Sequence, residues 1–223
     1  MKVAVTGASG FIGRYVLKEL FSQGVKTIAV VRKSKLENIV GLYKILTLDI
    51  YNPPQNPYLL MGNPDVLIHL AWGGLPNYHS FHHFEIELPA HYNFLKSLVL
   101  AGLPSLFVVG TCFEYGMKCG ELTEDMPAQP TNPYGFAKDT LRRQLEFLKQ
   151  MRPFNFTWAR LFYLYGDGQA PNSLWPQLKS AIARGEKTFP MSGGEQLRDY
   201  LPVTKAANYL ASLALLQKDV GVV

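Results

Sequence analysis

A glycine-rich run near the N-terminus, Thr6 to Gly13, has the residue types and spacing to hold a phosphate group. It follows a short apolar segment and leads into residues with helical periodicity. Gly7 permits a tight turn, Gly10 lets a ligand approach the backbone, and Gly13 lets the helix pack closely on the strand. Because a helix N-terminus presents free N–H groups and partial positive charge, the run predicts a site for the pyrophosphate of a dinucleotide. The residues of this run expected to bind the cofactor are Gly7, Ser9, Gly10, Phe11, Ile12 and Gly13.

The end of the second predicted strand bears on which dinucleotide binds. An acidic residue about 20 positions beyond the glycine run would bond the ribose 2′-hydroxyl of NAD. Here Val31 is followed by Arg32 and Lys33. A guanidinium can pair with phosphate and stack on adenine, so Arg32 favours NADP, with NAD as the alternative. Both cations could instead belong to a solvated loop.

A second group with chemical potential is a tyrosine and a lysine four residues apart, Tyr134 and Lys138, which places them on one face of a helix. A phenol has a pKa of about 10, and an ammonium roughly 4 Å away could bring it close to neutrality for acid/base work. We therefore expect Lys138 to lower the pKa of Tyr134. Tyr92 and Lys96 have the same spacing, so spacing alone does not identify the reactive pair.

Position along the chain separates the two pairs. Tyr134 stands at a helix start, after the Pro130 to Pro133 segment, whereas Tyr92 lies inside a helix between apolar residues. Thr111 comes at the carboxyl end of the fifth predicted strand, where ligands bind in parallel sheets. Position therefore favours Thr111, Tyr134 and Lys138 as the catalytic group, and it makes Tyr92 a packing residue.

The elements that would position these residues alternate along the chain. Strands are predicted over 2–6, 26–31, 44–48, 65–70, 105–110 and 155–161, with a further strand from 221. Helices are predicted over 12–21, 80–101, 134–151, 173–184 and 203–217. Because strands that are apolar on both faces and separated by helices are typical of a covered parallel sheet, we predict a doubly wound α/β (Rossmann) fold. The predicted organisation is a dinucleotide-binding domain over 1–165, a partial substrate-binding region over 166–202, and a helix and strand returning to the core over 203–223.

The composition of the 223 residues excludes several classes of protein. Hydrophobic residues make up 48% and no apolar run approaches the length of a bilayer span, so we expect a soluble protein without membrane contact. Met1 is followed directly by a strand-like segment, Lys2 to Val5, so no export signal is expected. The net charge is +5, but the basic residues are scattered, which argues against nucleic acid as a partner.

Cysteines and histidines occur without the spacing of a disulfide framework or a metal site. Cys112 and Cys119 form no CxxC pair, which suits a reducing compartment. His79, His82 and His83 could share a helical face, but no cysteine or acid completes a zinc site around them. We therefore expect a cytoplasmic protein with no bound metal.

Taken together, the motifs resemble those of the extended short-chain dehydrogenase/reductase family, in the branch of nucleotide-sugar epimerases, dehydratases and reductases. The resemblance covers nearly the whole chain. The matching residues are the glycine run, Asp49, His69-Leu70-Ala71, Thr111-x-x-x-Tyr115-Gly116, Tyr134-x-x-x-Lys138, Arg160-Leu161-Phe162, Tyr165-Gly166 and Arg198-Asp199-Tyr200.

The resemblance implies roles for individual residues. Asp49 would lie toward the adenine, Thr111 would hydrogen-bond the reacting oxygen, and Tyr134 would be the acid/base. Lys138 would hold the ribose, and Arg198 would contact the diphosphate of a sugar nucleotide. Further cofactor contacts are expected at Ile50, Leu70, Ala71 and Leu161, and further substrate contacts at Trp72, Cys112, Phe113, Tyr163, Ser173 and Leu174. The family also implies a homodimer formed by the helices near 80–101 and 134–151. The place of His69 at a strand end indicates a residue buried beside the cofactor and not a catalytic one.

Departures from the family pattern narrow the expected reaction. Thr111 is followed by Cys112 and Phe113 where dehydratases carry an acidic pair, which argues against dehydration. Tyr163 replaces an asparagine that contacts the sugar nucleotide, and Glu87 replaces a helix asparagine near the active site. The cations after the second strand favour NADP. A cofactor of this kind suits a reductase, which exchanges it at each turnover, better than an epimerase, which retains it.

We therefore predict an NAD(P)-dependent reductase of a nucleotide-activated 4-keto-6-deoxy sugar, with a nucleotide-sugar 4-epimerase as the alternative. The family usually continues for several dozen residues beyond the position of Val223. A second alternative is therefore a truncated protein that binds cofactor but is inactive.

Overall fold

The computed structural model describes residues 1–32 and 44–223, and its centre is a seven-stranded parallel sheet. The strands are β1 (Lys2–Thr6), β2 (Lys26–Val31), β3 (Lys44–Thr47), β4 (Val66–His69), β5 (Ser105–Thr111), β6 (Asn155–Leu161), β7 (Tyr163–Tyr165), β8 (Tyr200–Pro202) and β9 (Gly221–Val222). Their order in the sheet is β3-β2-β1-β4-β5-β6-β9, and β7 pairs with β8 in a separate small sheet. The order reverses between β1 and β4, so the doubly wound α/β prediction is confirmed.

Helices connect the strands and cover both faces of the sheet. They are α1 (Phe11–Ser22), α2 (Pro57–Leu60), α3 (Leu88–Leu100), α4 (Pro133–Met151), α5 (Leu174–Ala183) and α6 (Val203–Leu215). A π-helical turn, His83–Glu87, precedes α3, and a 3-10 turn, Cys112–Tyr115, follows β5. Within the described ranges, no helix combines the length and the apolar character needed to span a membrane.

Two apolar clusters explain why the strands read as apolar on both faces. On β1, Val3 and Val5 pack toward α1 and α6, while Ala4 between them packs toward α3 and α4. All three are fully buried, as expected for a strand with helices on either side. The carboxyl ends of β1, β4 and β5 therefore meet at one edge of a rigid sheet.

Two predicted elements differ from the structure. The third strand was expected to be buried on both faces, but among the described residues β3 pairs only with β2, lies at the edge of the sheet and is largely exposed. The helix expected over 80–101 is divided into the π-helical turn and α3. Pro89 stands in the first turn of α3 and has no N–H to donate to the turn before it, which accounts for the wider geometry there.

The region after β6 is more open than the central sheet. Residues 190–200 are exposed throughout, and β7, β8 and α5 carry few buried side chains. The chain then returns to the core through α6, and β9 pairs in parallel with β6. The strand predicted from Gly221 is therefore confirmed.

Candidate active site

The glycine turn between β1 and α1 packs so closely on neighbouring backbone that a side chain at Gly7 or Gly13 would clash with it. Gly7 has φ +68°, and a Cβ on it would lie 2.7 Å from the backbone N of Ala71. A Cβ on Gly13 would lie 2.2 Å from the carbonyl O of Gly7, whereas one on Gly10 would meet only that carbonyl, at 3.1 Å. Gly10 is the N-cap of α1, and no side chain caps it. The first turn therefore offers backbone donors to an anion.

A cavity of about 220 Å³ opens beside this turn. Its walls are formed by Thr6, Gly7, Ser9, Gly10, Val30, Val31, Arg32, Leu48, Ile50, Tyr51, Leu70, Ala71, Trp72 and Gly73. Seven of the residues expected to hold the cofactor are among them: Gly7, Ser9, Gly10, Arg32, Ile50, Leu70 and Ala71. A slot with both apolar and polar walls, beside a glycine turn and an uncapped helix end, fits a dinucleotide. Lys33, the second cation of the NADP argument, lies outside the described residues.

Other residues expected at the cofactor lie around this cavity or in the packing behind it. Phe11 packs edge-on against Tyr15 with ring centroids 6.2 Å apart, and Ile12 packs in the core beneath the turn. Asp49 accepts a hydrogen bond from the backbone N of Tyr51 at 3.1 Å. Leu161 ends β6 and is partly buried against the α1 and α6 side of the sheet.

Thr111 and Tyr134 lie side by side at the carboxyl end of β5. Thr111 is the last residue of β5 and is buried, and Tyr134 is the second residue of α4. Asn132 caps α4 by accepting from the backbone N of Gly135 at 2.8 Å, so the cap sets where the helix begins. Hydrogen bonding to Thr111 favours the ionised form of the phenol. The sequence analysis grouped Thr111 with Tyr134, and the two side chains are in contact in the structure.

Aromatic rings enclose the Tyr134 side chain. The ring centroids of Trp72, Tyr78, His83 and Phe113 lie 6.0, 5.6, 5.2 and 6.1 Å from that of Tyr134. Burial raises the pKa of Tyr134 well above its usual value, despite the contact with Thr111. The expectation that Lys138 brings this pKa close to neutrality is wrong for this structure, because burial outweighs the charges around the phenol. Tyr134 is therefore a protonated donor.

Lys138 lies one turn further along α4, with its ammonium between two indole rings. Its Nζ atom is 4.4 Å from the ring centroid of Trp72 and 5.3 Å from that of Trp158. Burial lowers the pKa of Lys138 from 10.5 to about 8, while the carboxylates of Glu114 and Glu87 act in the opposite direction. Lys138 is therefore a buried cation held on aromatic faces beside the cavity that Trp72 lines.

Glu114 was not identified from the sequence, although it holds Thr111 in place. Its fully buried carboxylate accepts hydrogen bonds from the backbone N of Thr111 at 2.8 Å, from Trp158 Nε1 at 3.0 Å and from Arg160 Nε at 2.8 Å. Burial raises the pKa of Glu114, and Arg160 opposes that rise. Its only sequence signal was a place inside the Thr111 to Gly116 motif.

The residues expected to bind substrate fall into two groups. Trp72, Cys112 and Phe113 surround Tyr134, and burial raises the pKa of the Cys112 thiol. The second group belongs to the open region after β6. There, the guanidinium of Arg198 lies 4.4 Å over the ring of Tyr163, Ser173 is the N-cap of α5, and Leu174 is its half-exposed first residue.

The second tyrosine–lysine pair and the histidines have packing or hydrogen-bond partners within the chain. Lys96 Nζ lies 5.8 Å from the ring centroid of Tyr92, which packs against the α3 and α4 side of the core, so this pair belongs to the core packing. His83 is buried, accepts from Trp72 Nε1 at 3.1 Å and contacts the carbonyl O of Asn77 at 2.8 Å. His69 is buried at the end of β4, as expected. Over residues 1–32 and 44–223, no three histidine, cysteine or acidic side chains are grouped to hold a metal.

Comparison with known proteins places this geometry in a family. The family model described as the NAD dependent epimerase/dehydratase family matches residues 3–222. The chain is 31% identical over 225 residues to a dTDP-6-deoxy-L-talose 4-dehydrogenase (NAD(+)) of Aggregatibacter actinomycetemcomitans, covering 100% of this chain and 83% of that protein. It is 27% identical to a GDP-6-deoxy-D-talose 4-dehydrogenase of the same organism, covering 96% of this chain and 70% of the relative.

A solved structure shares the fold over the whole of this chain. MoeE5 in complex with UDP-glucose and NAD has a TM-score of 0.83 and 28% identity, covering 100% of this chain and 74% of that one. With a model match over almost its full length, the chain belongs to the NAD-dependent epimerase/dehydratase family and is an oxidoreductase/epimerase of the extended short-chain dehydrogenase type.

Proposed function

We propose that this protein is a nicotinamide-dinucleotide-dependent reductase acting at C4 of a nucleotide-activated 4-keto-6-deoxy sugar. The observation that carries this proposal is the place of the Tyr134 phenol, which contacts Thr111 at the end of β5 and Trp72 in the wall of the dinucleotide cavity. A protonated donor at this place suits delivery of a proton to a ketone oxygen. Two relatives are named as 4-dehydrogenases of nucleotide-linked 6-deoxytaloses, and oxidation at C4 is the reverse of this reduction.

Thr111, Tyr134 and Lys138 have separate roles in the proposed reaction. The dinucleotide, when bound, supplies a hydride to the ketone carbon. The Thr111 hydroxyl orients the ketone oxygen, and Tyr134 gives that oxygen its phenolic proton, so that the ketone becomes a carbinol. The phenolate then regains a proton from solvent. The ammonium of Lys138, beside the cavity that Trp72 lines, would hold the cofactor ribose.

We propose NADP as the preferred cofactor, with NAD as the alternative. Arg32 lines the cavity at the end of β2, where no acidic side chain follows the strand to repel a 2′-phosphate. The name of one relative specifies NAD(+), which favours the alternative. Besides the cavity residues, we propose cofactor contacts from Phe11, Ile12, Gly13, Asp49, Lys138 and Leu161.

We propose that the nucleotide diphosphate sugar lies between the aromatic residues at Tyr134 and the region over 166–202. Trp72, Cys112 and Phe113 would contact the sugar, and the exposed guanidinium of Arg198 would contact the diphosphate. Tyr163, Ser173 and Leu174 would contribute from the same region. Both cysteines are free thiols, which suits the reducing cytoplasm where we place the reaction.

One experiment tests the reaction. The protein is incubated with NADPH and a thymidine-diphosphate-linked 4-keto-6-deoxyhexose, and the absorbance of the reduced cofactor is followed. We expect stoichiometric oxidation of NADPH and formation of the C4 carbinol. The Tyr134→Phe variant, which keeps the ring but lacks the proton, serves as the control and should lose the reaction while still binding cofactor.

Other outcomes of this experiment point to the alternatives. Inversion of a nucleotide sugar at C4 without net consumption of cofactor would replace the reductase by a 4-epimerase. Binding of cofactor without turnover of either kind would identify an inactive cofactor-binding protein. A failure to bind either dinucleotide would refute the proposal for this chain.

A further inference from the structure

Glu87 is a fully buried carboxylate with a hydrogen bond at each of its acceptor positions. It accepts from the Tyr51 hydroxyl at 2.6 Å, from the backbone N of Gly73 at 2.8 Å, from His82 Nε2 at 2.8 Å and from His91 Nε2 at 3.0 Å. Burial raises the pKa of Glu87, but the hydrogen bonds from His91, Tyr51 and Gly73 outweigh it and bring the pKa to about 2. Glu87 is therefore ionised and can only accept hydrogen bonds.

An ionised Glu87 sets the direction of a chain of hydrogen bonds through two buried histidines. Burial lowers the pKa of both His69 and His91, so each ring is neutral and carries one proton. His91 must donate from Nε2 to Glu87, so its Nδ1 accepts from His69 Nε2 at 2.7 Å. His69 Nδ1 then accepts from the Thr6 hydroxyl at 2.8 Å. The donors therefore run in one direction, from Thr6 to Glu87.

The ends of this network reach the dinucleotide cavity. Thr6, Tyr51 and Gly73 all line it: Thr6 ends β1, and the other two lie in the segments that follow β3 and β4. A Cβ at position 73 would lie 2.4 Å from Glu87 Oε1 and 2.7 Å from the Tyr51 hydroxyl oxygen, so the network leaves no room for a side chain there. One carboxylate on the π-helical turn thus ties together three segments of the cavity wall.

We propose that Glu87 is a positioning residue for the dinucleotide. It holds the cavity wall in place and fixes which atoms donate along the Thr6–His69–His91 chain of hydrogen bonds. This inference rests on the proposed use of the cavity for a dinucleotide. Glu87 itself does not line the cavity, so it acts through Thr6, Tyr51 and Gly73. An amide at position 87 would bring two donors to a place where four donors already converge.

Two variants separate this role from simple packing. Glu87→Met keeps the approximate volume but removes every acceptor, which leaves His91 Nε2–H buried without a partner. Both histidines should then move their protons to Nδ1 and reverse the chain, because a buried donor without an acceptor costs free energy. Glu87→Gln can turn its NH2 group toward Tyr51 and His82 and keep its oxygen toward His91, so the native tautomers should persist.

The test measures histidine tautomers by ¹⁵N NMR and the dissociation constant of NADPH by titration calorimetry. In the unsubstituted protein, both His69 and His91 should be protonated at Nε2. Glu87→Met should weaken NADPH binding by about tenfold or more, and Glu87→Gln by only about threefold. Leu98→Ala is the matched control, because Leu98 is also fully buried on α3 but belongs to the apolar core. It should leave both the tautomers and the NADPH affinity unchanged.

Each outcome bears on the proposal. Nδ1 protonation of either histidine in the unsubstituted protein would overturn it, as would NADPH binding by Glu87→Met that equals that of the Leu98→Ala control. If Glu87→Met does not fold, the native tautomers together with a measurable loss of affinity in Glu87→Gln support the proposal, and an unchanged affinity overturns it. If the unsubstituted protein binds no dinucleotide, the proposed function itself fails.

Discussion

Lys138 brings a charge into a nearly fully buried position, and this has a cost that depends on pH. Its pKa is lowered from 10.5 to about 8, so the folded protein holds this proton less tightly than the unfolded chain does. Between these pH values the unfolded chain binds more protons, and stability therefore rises with pH across that window. Below pH 8 the protonated side chain opposes folding, as is common for groups kept for catalysis.

The Lys138→Met variant tests this conflict between stability and function. Methionine fills a similar volume without a charge, so we expect the free energy of unfolding at neutral pH to rise by about 1–3 kcal/mol while ketone reduction is lost. Urea denaturation at several pH values measures the effect. The gain should shrink as the pH rises above about 8, and a gain that stays constant with pH would contradict the assigned cause.

Arg32 provides a test of cofactor choice. Arg32→Asp places an acidic group at the end of β2, which repels a 2′-phosphate and can bond a ribose hydroxyl, so the preference should move from NADPH toward NADH. Lys26→Asp is the matched control, because it makes the same change of charge at the opposite end of the same strand. The ratio of the two dissociation constants is measured, and an equal change in both variants would reject the role of Arg32.

At the scale of elements, the glycine turn serves two separate purposes. Gly13 lets α1 pack beneath the turn, whereas Gly10 faces few neighbours of its own chain. Packing and ligand binding should therefore respond differently to the same small substitution at the two positions.

The comparison of Gly13→Ala with Gly10→Ala tests this division. Gly13→Ala forces a Cβ to within 2.2 Å of a backbone carbonyl and should lower the free energy of unfolding by about 1–3 kcal/mol. Gly10 has φ −76°, which alanine adopts readily, so Gly10→Ala should fold normally but bind NADPH more weakly. Thermal denaturation and calorimetry give the two quantities. Equal stability losses in both variants would show that the turn has no such division.

For the whole molecule, the outer face of α4 suggests how copies of the chain associate. Phe136, Phe147 and Met151 recur at helical spacing and are 50%, 67% and 78% exposed. We propose that this stripe and α3 form the interface of a homodimer, as the family resemblance implies. Large exposed apolar side chains in a row are typical of protein interfaces.

Sedimentation velocity tests the proposed dimer. Phe147→Glu introduces a charge at the centre of the stripe and should convert a dimer to a monomer, while dinucleotide binding persists. Leu216→Glu is the control, because Leu216 is also exposed but follows α6 on the opposite side of the sheet. A monomeric unsubstituted protein, or an unchanged dimer in Phe147→Glu, would contradict the proposal.

Features that depend on local pattern were predictable from the order of the residues. Apolar strands between amphipathic helices determined the parallel sheet, and glycine spacing after β1 determined the turn. The position of Tyr134 at a helix start and of Thr111 at a strand end was sufficient to pair two residues that are in contact. The exposure of β3 was not predictable in this way, because the edge position depends on how the strands are ordered and not on their own residues.

Features that depend on distant residues converging, and on their burial, became visible only in the folded chain. Glu87 and Glu114 draw their hydrogen bonds from residues up to 36 and 46 positions away, and no local pattern shows such partners. For the same reason, the prediction that the pKa of Tyr134 is lowered toward neutrality was wrong. Its pKa depends on the rings of Trp72, Tyr78 and Phe113, which enclose it only once the chain has folded, and the loss of water around the phenol outweighs a charge one helical turn away.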